Sequence, residues 1–216
     1  MSLQHLDGRQ TTALHDIAST RQLEQALAAL LPPHTLMRRA GQSIGQLAMA
    51  LTPHARTIWI ACGPGNNGGD GLEAAVFLHQ AGMQVFVSHL SGSQPLPDDA
   101  QSALQRAQAA GIAFVSAPPA LAPGDLAIDC LLGIGANRAA TGDMAAYICA
   151  MNNSQATVLS ADQPTGLNAQ TSQALRHEDG TPGAMVHADH TLTLLTAKPG
   201  LFMGQGRDAS GHPLRL

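Results

Sequence analysis

Apolar and polar positions along this chain follow two different rhythms. From Thr35 the apolar residues Leu36, Ala40, Ile44, Leu47 and Leu51 recur at spacings of three and four, which lines them up on one stripe of a helix. Residues 57–62, 84–88, 113–115, 126–129, 157–160 and 190–195 are instead short apolar runs too brief for helices, and they read as strands. Helical segments fall between them. Ser19-Thr20-Arg21-Gln22 reads as a capping box opening a helix to Leu30, which Pro32-Pro33 stops. Another helix follows a glycine loop and runs to Gln80. A further one starts at Pro97-Asp98-Asp99, with proline and acids in its first turn, and ends at Gly111. Residues 143–151 form the last. Strands alternating with helices predict an α/β fold: three layers, a Rossmann-like, doubly wound, mainly parallel sheet with helices on both faces. Such sheets bind ligands beyond the carboxyl ends of their strands. Residues 169–184 are polar and turn-rich and read as a surface excursion. There is no internal repeat, and residues 1–216 read as one domain.

Composition narrows the function. Charged residues are 12% of the chain, about half the typical ~25%, a hint of a subunit interface and hence of a homodimer. The net charge is -4 with no basic tract, which disfavours nucleic acid as a partner. Cys62, Cys130 and Cys149 form no C-x-x-C pair, which fits a reducing, cytoplasmic setting. Residues 1–20 hold neither a signal-peptide apolar run nor a transit-peptide pattern, and no stretch reaches the ~20 apolar residues of a membrane span.

Three strand ends carry the candidate chemistry. The first runs into Cys62-Gly63-Pro64-Gly65-Asn66-Asn67-Gly68-Gly69-Asp70-Gly71. Its glycines let the backbone approach a ligand, and the helix that follows offers free N–H groups to an anion. Asn66, Asn67 and Asp70 are more polar equipment than a tight turn needs. Gly63, Gly65 and Gly68 also match G-x-G-x-x-G, but an ordinary dinucleotide site wants an acid at the end of the next strand. That end reads Val85-Phe86-Val87-Ser88-His89. No Lys-Ser/Thr follows the glycines, so a P-loop is excluded. At the second end Asp129 lies inside an apolar run, where a carboxylate is costly unless paired, hydrogen-bonded or metal-bound. Beyond it come Gly133, Ile134, Gly135, Ala136, Asn137, Arg138 and Ala139, with Arg138 able to meet a phosphate. The third end is Asp162-Gln163-Pro164-Thr165-Gly166, where Asp162 is either an Asx-turn residue or a functional acid. The ten histidines form no H-E-x-x-H, and His187 and His190 flank a strand start rather than share a helical face, which argues against zinc. Apolar neighbours mark Cys130 as an inert thiol.

The run Gly63-Pro64-Gly65-Asn66-Asn67-Gly68-Gly69-Asp70-Gly71 resembles the signature loop of the YjeF N-terminal domain, the NAD(P)H-hydrate epimerases. The likeness continues through Arg39-Ala40-Gly41, Asp129 to Arg138, Asp162 to Gly166, Ala188-Asp189-His190-Thr191, Lys198-Pro199-Gly200-Leu201 and Gly206-Arg207-Asp208. It implies an enzyme of nicotinamide nucleotide repair that interconverts the R and S forms of hydrated NADH and NADPH. By motif match, Asn66, Asn67, Gly68, Gly69, Asp70, the loop Gly133 to Ala139, and Asp162 bind the hydrate. Asn67, Asp129 and Thr165 supply oxygen ligands to a potassium ion, as suits a hard cation. Asp162 is the expected catalytic acid/base. The resemblance also implies a homodimer and a dehydratase partner, either fused or separate. Gln163, Thr165 and Ala139 depart from the residues common in the family, and 169–179 is longer than usual. The competing readings are a non-catalytic nucleotide- or protein-binding module of the same fold, which the full polar set opposes, and an ordinary Rossmann oxidoreductase, which the missing ribose acid opposes.

Overall fold

A computed structural model describes residues 4–6 and 11–215. In chain order the elements are β1 (Gln4–His5), α1 (Ile17–Ala29), α2 (Thr35–Leu51), β2 (Ile58–Cys62), α3 (Asn66–Gln80), β3 (Val85–His89), α4 (Asp98–Ala109), β4 (Ala113–Phe114), β5 (Leu126–Cys130), α5 (Gly142–Asn153), β6 (Thr157–Ala161), β7 (His190–Thr193), α6 (Gly204–Ala209) and β8 (His212–Arg215). A short 3-10 turn covers Pro199–Leu201. The sheet order is β1-β8-β7-β6-β5-β2-β3-β4, and every pairing is parallel except β1 with β8.

Alternation along β2 explains the layers. Ile58, Ile60 and Cys62 pack with Ile44 and Leu47 of α2, Leu72 and Leu78 of α3, and Ala100, Ala103 and Ala107 of α4. Trp59 and Ala61 point the other way, onto Tyr147, Ile148 and Met151 of α5. Successive strand residues face opposite sides of a sheet, so a strand buried on both faces reads as a continuous apolar run. The doubly wound architecture is thus the one the alternation of strands and helices predicts. Chain order reverses direction in the sheet between β2 and β5, the switch point at which such sheets open a crevice. Gly41 is where α2 crosses α3: a Cβ there would overlap the Cβ of Glu73.

Several boundaries move. The capping-box reading at Ser19 is displaced by three residues, because Asp16 is the N-cap and its Oδ1 accepts from the Ser19 N–H at 2.7 Å. Thr20 is instead buried inside α1, its hydroxyl bonded to the Asp16 carbonyl and to the Thr196 hydroxyl. The late strand stops at Thr193, since Leu195 takes a left-handed conformation with φ 59°. The short edge strand β1 and its neighbour β8 carry no strand signal in the sequence. The turn-rich excursion after Leu167 closes on itself through bridges at Leu167–Ala174 and Arg176–Pro182.

Candidate active site

The three strand ends meet. Cys62, Cys130 and Ala161 end adjacent parallel strands, so the glycine loop, the 131–139 loop and the Asp162 turn all leave the same edge. Gly68 lies so close to Gly63 that a Cβ would overlap the Gly63 carbonyl oxygen, which folds the glycine loop tightly into the first turn of α3. A Cβ at Gly133 would stand 3.1 Å from Asp162 Oδ2 and 3.5 Å from the Asn67 Cβ. One glycine of the second loop therefore touches the functional residues of both others.

Asp129 is fully buried within β5. It accepts from the Thr165 N–H (2.8 Å) and hydroxyl (2.6 Å), the Ser160 hydroxyl (2.9 Å) and the Leu131 N–H (3.2 Å). Burial pushes its pKa up, and these hydrogen bonds oppose that push. The Thr165 hydroxyl also receives the Leu132 N–H at 3.0 Å, tying the second and third loops together. Asn67 is buried with neither side-chain atom hydrogen-bonded. A buried amide without partners is expensive, and this one lies against Gly133 of the second loop, where a Cβ would stand 3.7 Å from the Asn67 Cγ. Among the described residues no group of three or more His, Cys, Asp or Glu side chains is arranged to hold a metal ion. Potassium takes oxygen donors; of the three oxygens nominated from the sequence, the Asn67 amide is without a partner, while the Asp129 carboxylate and the Thr165 hydroxyl are already hydrogen-bonded to each other.

Asp162 has a left-handed backbone, φ 67°, directly after β6, with its N–H bonded to the Leu192 carbonyl at 2.8 Å. Asp tolerates this conformation better than most residues, and such outliers gather at functional sites. Its Oδ1 lies 2.5 Å from Lys198 Nζ, and its Oδ2 accepts from the Ile134 N–H at 3.3 Å. Lys198 is 1% exposed and also donates to the Thr193 hydroxyl (3.0 Å) and the Leu194 carbonyl (2.7 Å). Gln163 braces the turn from beneath, donating to the Gly133 and Leu167 carbonyls.

Asp70 and Asn66 open onto a cavity of about 380 Å³ roofed by α1 and the start of α2, lined also by Glu24, Leu27, Met37 and Leu194. Burial raises the Asp70 pKa well above the usual carboxylate range, helped by the negative charges of Asp162, Glu24, Glu73 and Asp99. Glu24 is raised too, first by burial and then by Asp162. The far part of the 131–139 loop does not face this cavity. Asn137, Arg138 and Ala139 line a separate cleft of about 990 Å³ with Arg176 and His177, in which Asn137 and Arg138 are exposed. Gly135 faces the Arg21 guanidinium of α1, and Ala136 caps the turn with its N–H on the Gly133 carbonyl. Cys62 and Cys130 are buried with pKa values raised by burial, as inert thiols should be.

A family model for the YjeF-related protein N-terminus matches residues 33–200. The chain belongs to that family. It is 38% identical over 200 residues to an NAD(P)H-hydrate epimerase of Achromobacter xylosoxidans (strain A8), covering 91% of each chain. It is 36% identical over 181 residues to the bifunctional NAD(P)H-hydrate repair enzyme Nnr of Escherichia coli (strain K12), covering 83% of this chain and 34% of that protein. The chain thus spans about a third of the bifunctional relative and nearly all of the single-activity one. The crystal structure of yeast ynu0, YNL200c shares the fold, with a TM-score of 0.68 at 17% identity, over 88% of this chain and 84% of that one. Within the matched segment, the residue that motif reading left without a role is Lys198. Its signal was a lone lysine between Ala197 and Pro199 in an apolar stretch. Glu24 and Arg21 precede the matched segment altogether.

Proposed function

We propose that the chain is an NAD(P)H-hydrate epimerase of nicotinamide nucleotide repair. The observation that carries this reading is the buried Lys198–Asp162 pair set against Gly133 and Asn67. The epimerase activity of relatives covering most of their own length supports it. Hydrated NADH or NADPH bears a hydroxyl on the carbon beside the ring nitrogen. When that hydroxyl is protonated it leaves as water, pushed by the nitrogen lone pair, and a cyclic iminium remains. Water returning to the opposite face inverts the centre.

Each step needs a group that this site holds. Asp162 is the catalytic group: a carboxylate that stands as counter-charge to the iminium and takes the proton of the returning water. Preorganised charge of this kind is typically the largest contribution to such a step. Lys198 fixes the carboxylate's direction and balances it when no iminium is present. Asp70, held well above the usual carboxylate range, is poised to carry the proton for the departing hydroxyl. Asn66 to Asp70, the loop from Gly133 to Ala139, and Asp162 bind the hydrate, with free N–H groups at the start of α3 suited to its anionic part. The cleft beside Arg138 offers a guanidinium to phosphate. Potassium held by Asn67, Asp129 and Thr165 would supply fixed positive charge near the loops.

The proposal extends to a single domain acting in the cytoplasm as a homodimer, beside or joined to a dehydratase, as the bifunctional names of some relatives suggest. No helix among the described residues is long and apolar enough to cross a membrane. The deciding assay incubates the protein with each separated hydrate epimer and follows their interconversion by chromatography. Acceleration of both directions to the same final ratio is expected; no acceleration with either NADH or NADPH hydrate overturns the reading.

A further inference from the structure

The residues assigned above use the β5–β6 half of the carboxyl edge and the glycine loop at its centre. The other half holds a cavity of about 560 Å³ that has no role yet. His89 ends β3 at its floor, Phe114 of β4 forms one wall, and Gln101, Leu104 and Gln108 present one face of α4 as another. The cavity adjoins the glycine loop, because a Cβ at Gly92 on its rim would lie 2.9 Å from the Pro64 Cβ.

Its chemistry is specific. Among the described residues lining it there is no Asp, Glu, Lys or Arg. Amides and hydroxyls supply the polarity, with Gln101 and Gln108 exposed and free to turn towards a ligand. Phe114 is 39% exposed, a large aromatic surface left uncovered on an edge strand. The His89 Nε2 is buried without a hydrogen-bond partner, and burial lowers the pKa of that ring, favouring neutral imidazole. A neutral, amide-bearing pocket with an aromatic wall does not suit phosphate. It suits a flat heteroaromatic base, which stacks on the ring and hydrogen-bonds at its edge, as glutamine does with adenine.

The position fits as well. In the order β6-β5-β2-β3-β4, the Asp162 turn and this cavity are three to four strand spacings apart, about 14–20 Å. That matches the reach of an extended dinucleotide laid across the β2/β5 switch point, where doubly wound sheets place one nucleotide half on each side. We propose that the cavity between β3, β4 and α4 is the adenine subsite, holding the base of the dinucleotide hydrate whose nicotinamide half is processed at Asp162. This rests on the epimerase reading for the identity of the whole ligand, though not for the class of the base.

The test compares hydrated NADH with the hydrate of reduced nicotinamide mononucleotide, which lacks the adenosine half. In Phe114→Ala the KM for hydrated NADH rises about tenfold, the order expected for one stacked base. The preference in kcat/KM for the dinucleotide over the mononucleotide hydrate falls by the same factor. Gln101→Ala, at an exposed helix position, shifts that ratio in the same direction. Independently of turnover, AMP titrated into the protein moves the His89 imidazole resonances in the NMR spectrum, and it fails to do so in Phe114→Ala. An unaltered preference in both variants, or AMP that binds without moving His89, overturns the subsite. AMP binding at His89 in a protein that epimerises no hydrate would sink the epimerase reading and leave the subsite standing.

Discussion

Asp129 and Asp162 leave neighbouring strands at the same edge of the sheet, and their surroundings differ in kind. Asp129 is met by four hydrogen-bond donors, all neutral, two of them from Thr165. Asp162 is met by one cation and one backbone N–H, from a strained turn. The first arrangement satisfies the lone pairs of a carboxylate and knits two loops together. The second leaves a carboxylate with a partner that any cationic intermediate would have to compete with. The comparison teaches that burial alone does not distinguish two carboxylates at one edge of a sheet; the sign and number of their partners do.

The sharpest way to break this contrast is Asp162→Asn. We expect about 10²–10⁴-fold less epimerase activity, the usual range for a lost acid/base group, with the fold intact by circular dichroism. Near-normal turnover of a pure epimer would show that Asp162 is no more catalytic than Asp129. Next, Lys198→Met leaves the Asp162 carboxylate without its cation. Breaking a buried pair costs roughly 3–5 kcal/mol, so denaturant unfolding shifts to lower midpoint; the double variant with Asp162→Asn should recover part of that loss. A Lys198→Met chain as stable as the parent would mean the pair is structurally idle.

Asp129→Ala removes four accepted hydrogen bonds and strands their donors. Leaving buried groups unsatisfied costs about 1–3 kcal/mol each, less whatever water recovers. We expect a lower melting temperature and the loss of any stabilisation by added potassium over sodium. If the potassium response persists in full, Asp129 is a brace only.

The smallest effect is a slope. Asp70 holds its proton to higher pH in the folded chain than in the unfolded one. The folded state then binds more protons between the ordinary carboxylate pKa and the raised one, so stability falls as pH rises through that window. Thermal melts from about pH 4 to pH 7 should show this fall in the ligand-free parent and a flatter profile in Asp70→Asn. Identical profiles would remove Asp70 as a proton carrier.

Much of the fold was readable because burial imposes a period. The stripe Leu36 to Leu51 and the apolar runs at β2, β5 and β6 report which surfaces must leave water, and the glycines at 63–71 report where backbone must approach backbone. Asp129 was legible for the same reason, as a carboxylate in a place that only partners make tolerable. The edge strand β1 and its neighbour β8 were not, since four or fewer residues, most of them only partly buried, carry too little pattern.

The sequence by itself determined the layered α/β class and the three carboxylate-bearing strand ends, because each follows from local periodicity or from chemistry confined to a few adjacent residues; the strand order, and with it the switch point, came from the tertiary structure. Tertiary structure alone decided that Lys198 pairs with Asp162 across 36 positions, that Glu24 of α1 raises the charge density around Asp70, and that Arg138 faces a different cleft from Asn66. The reason is physical: electrostatic pairing and cavity shape depend on distances in space. Those distances exist only once hydrophobic burial has stacked the strands and brought remote turns to one edge.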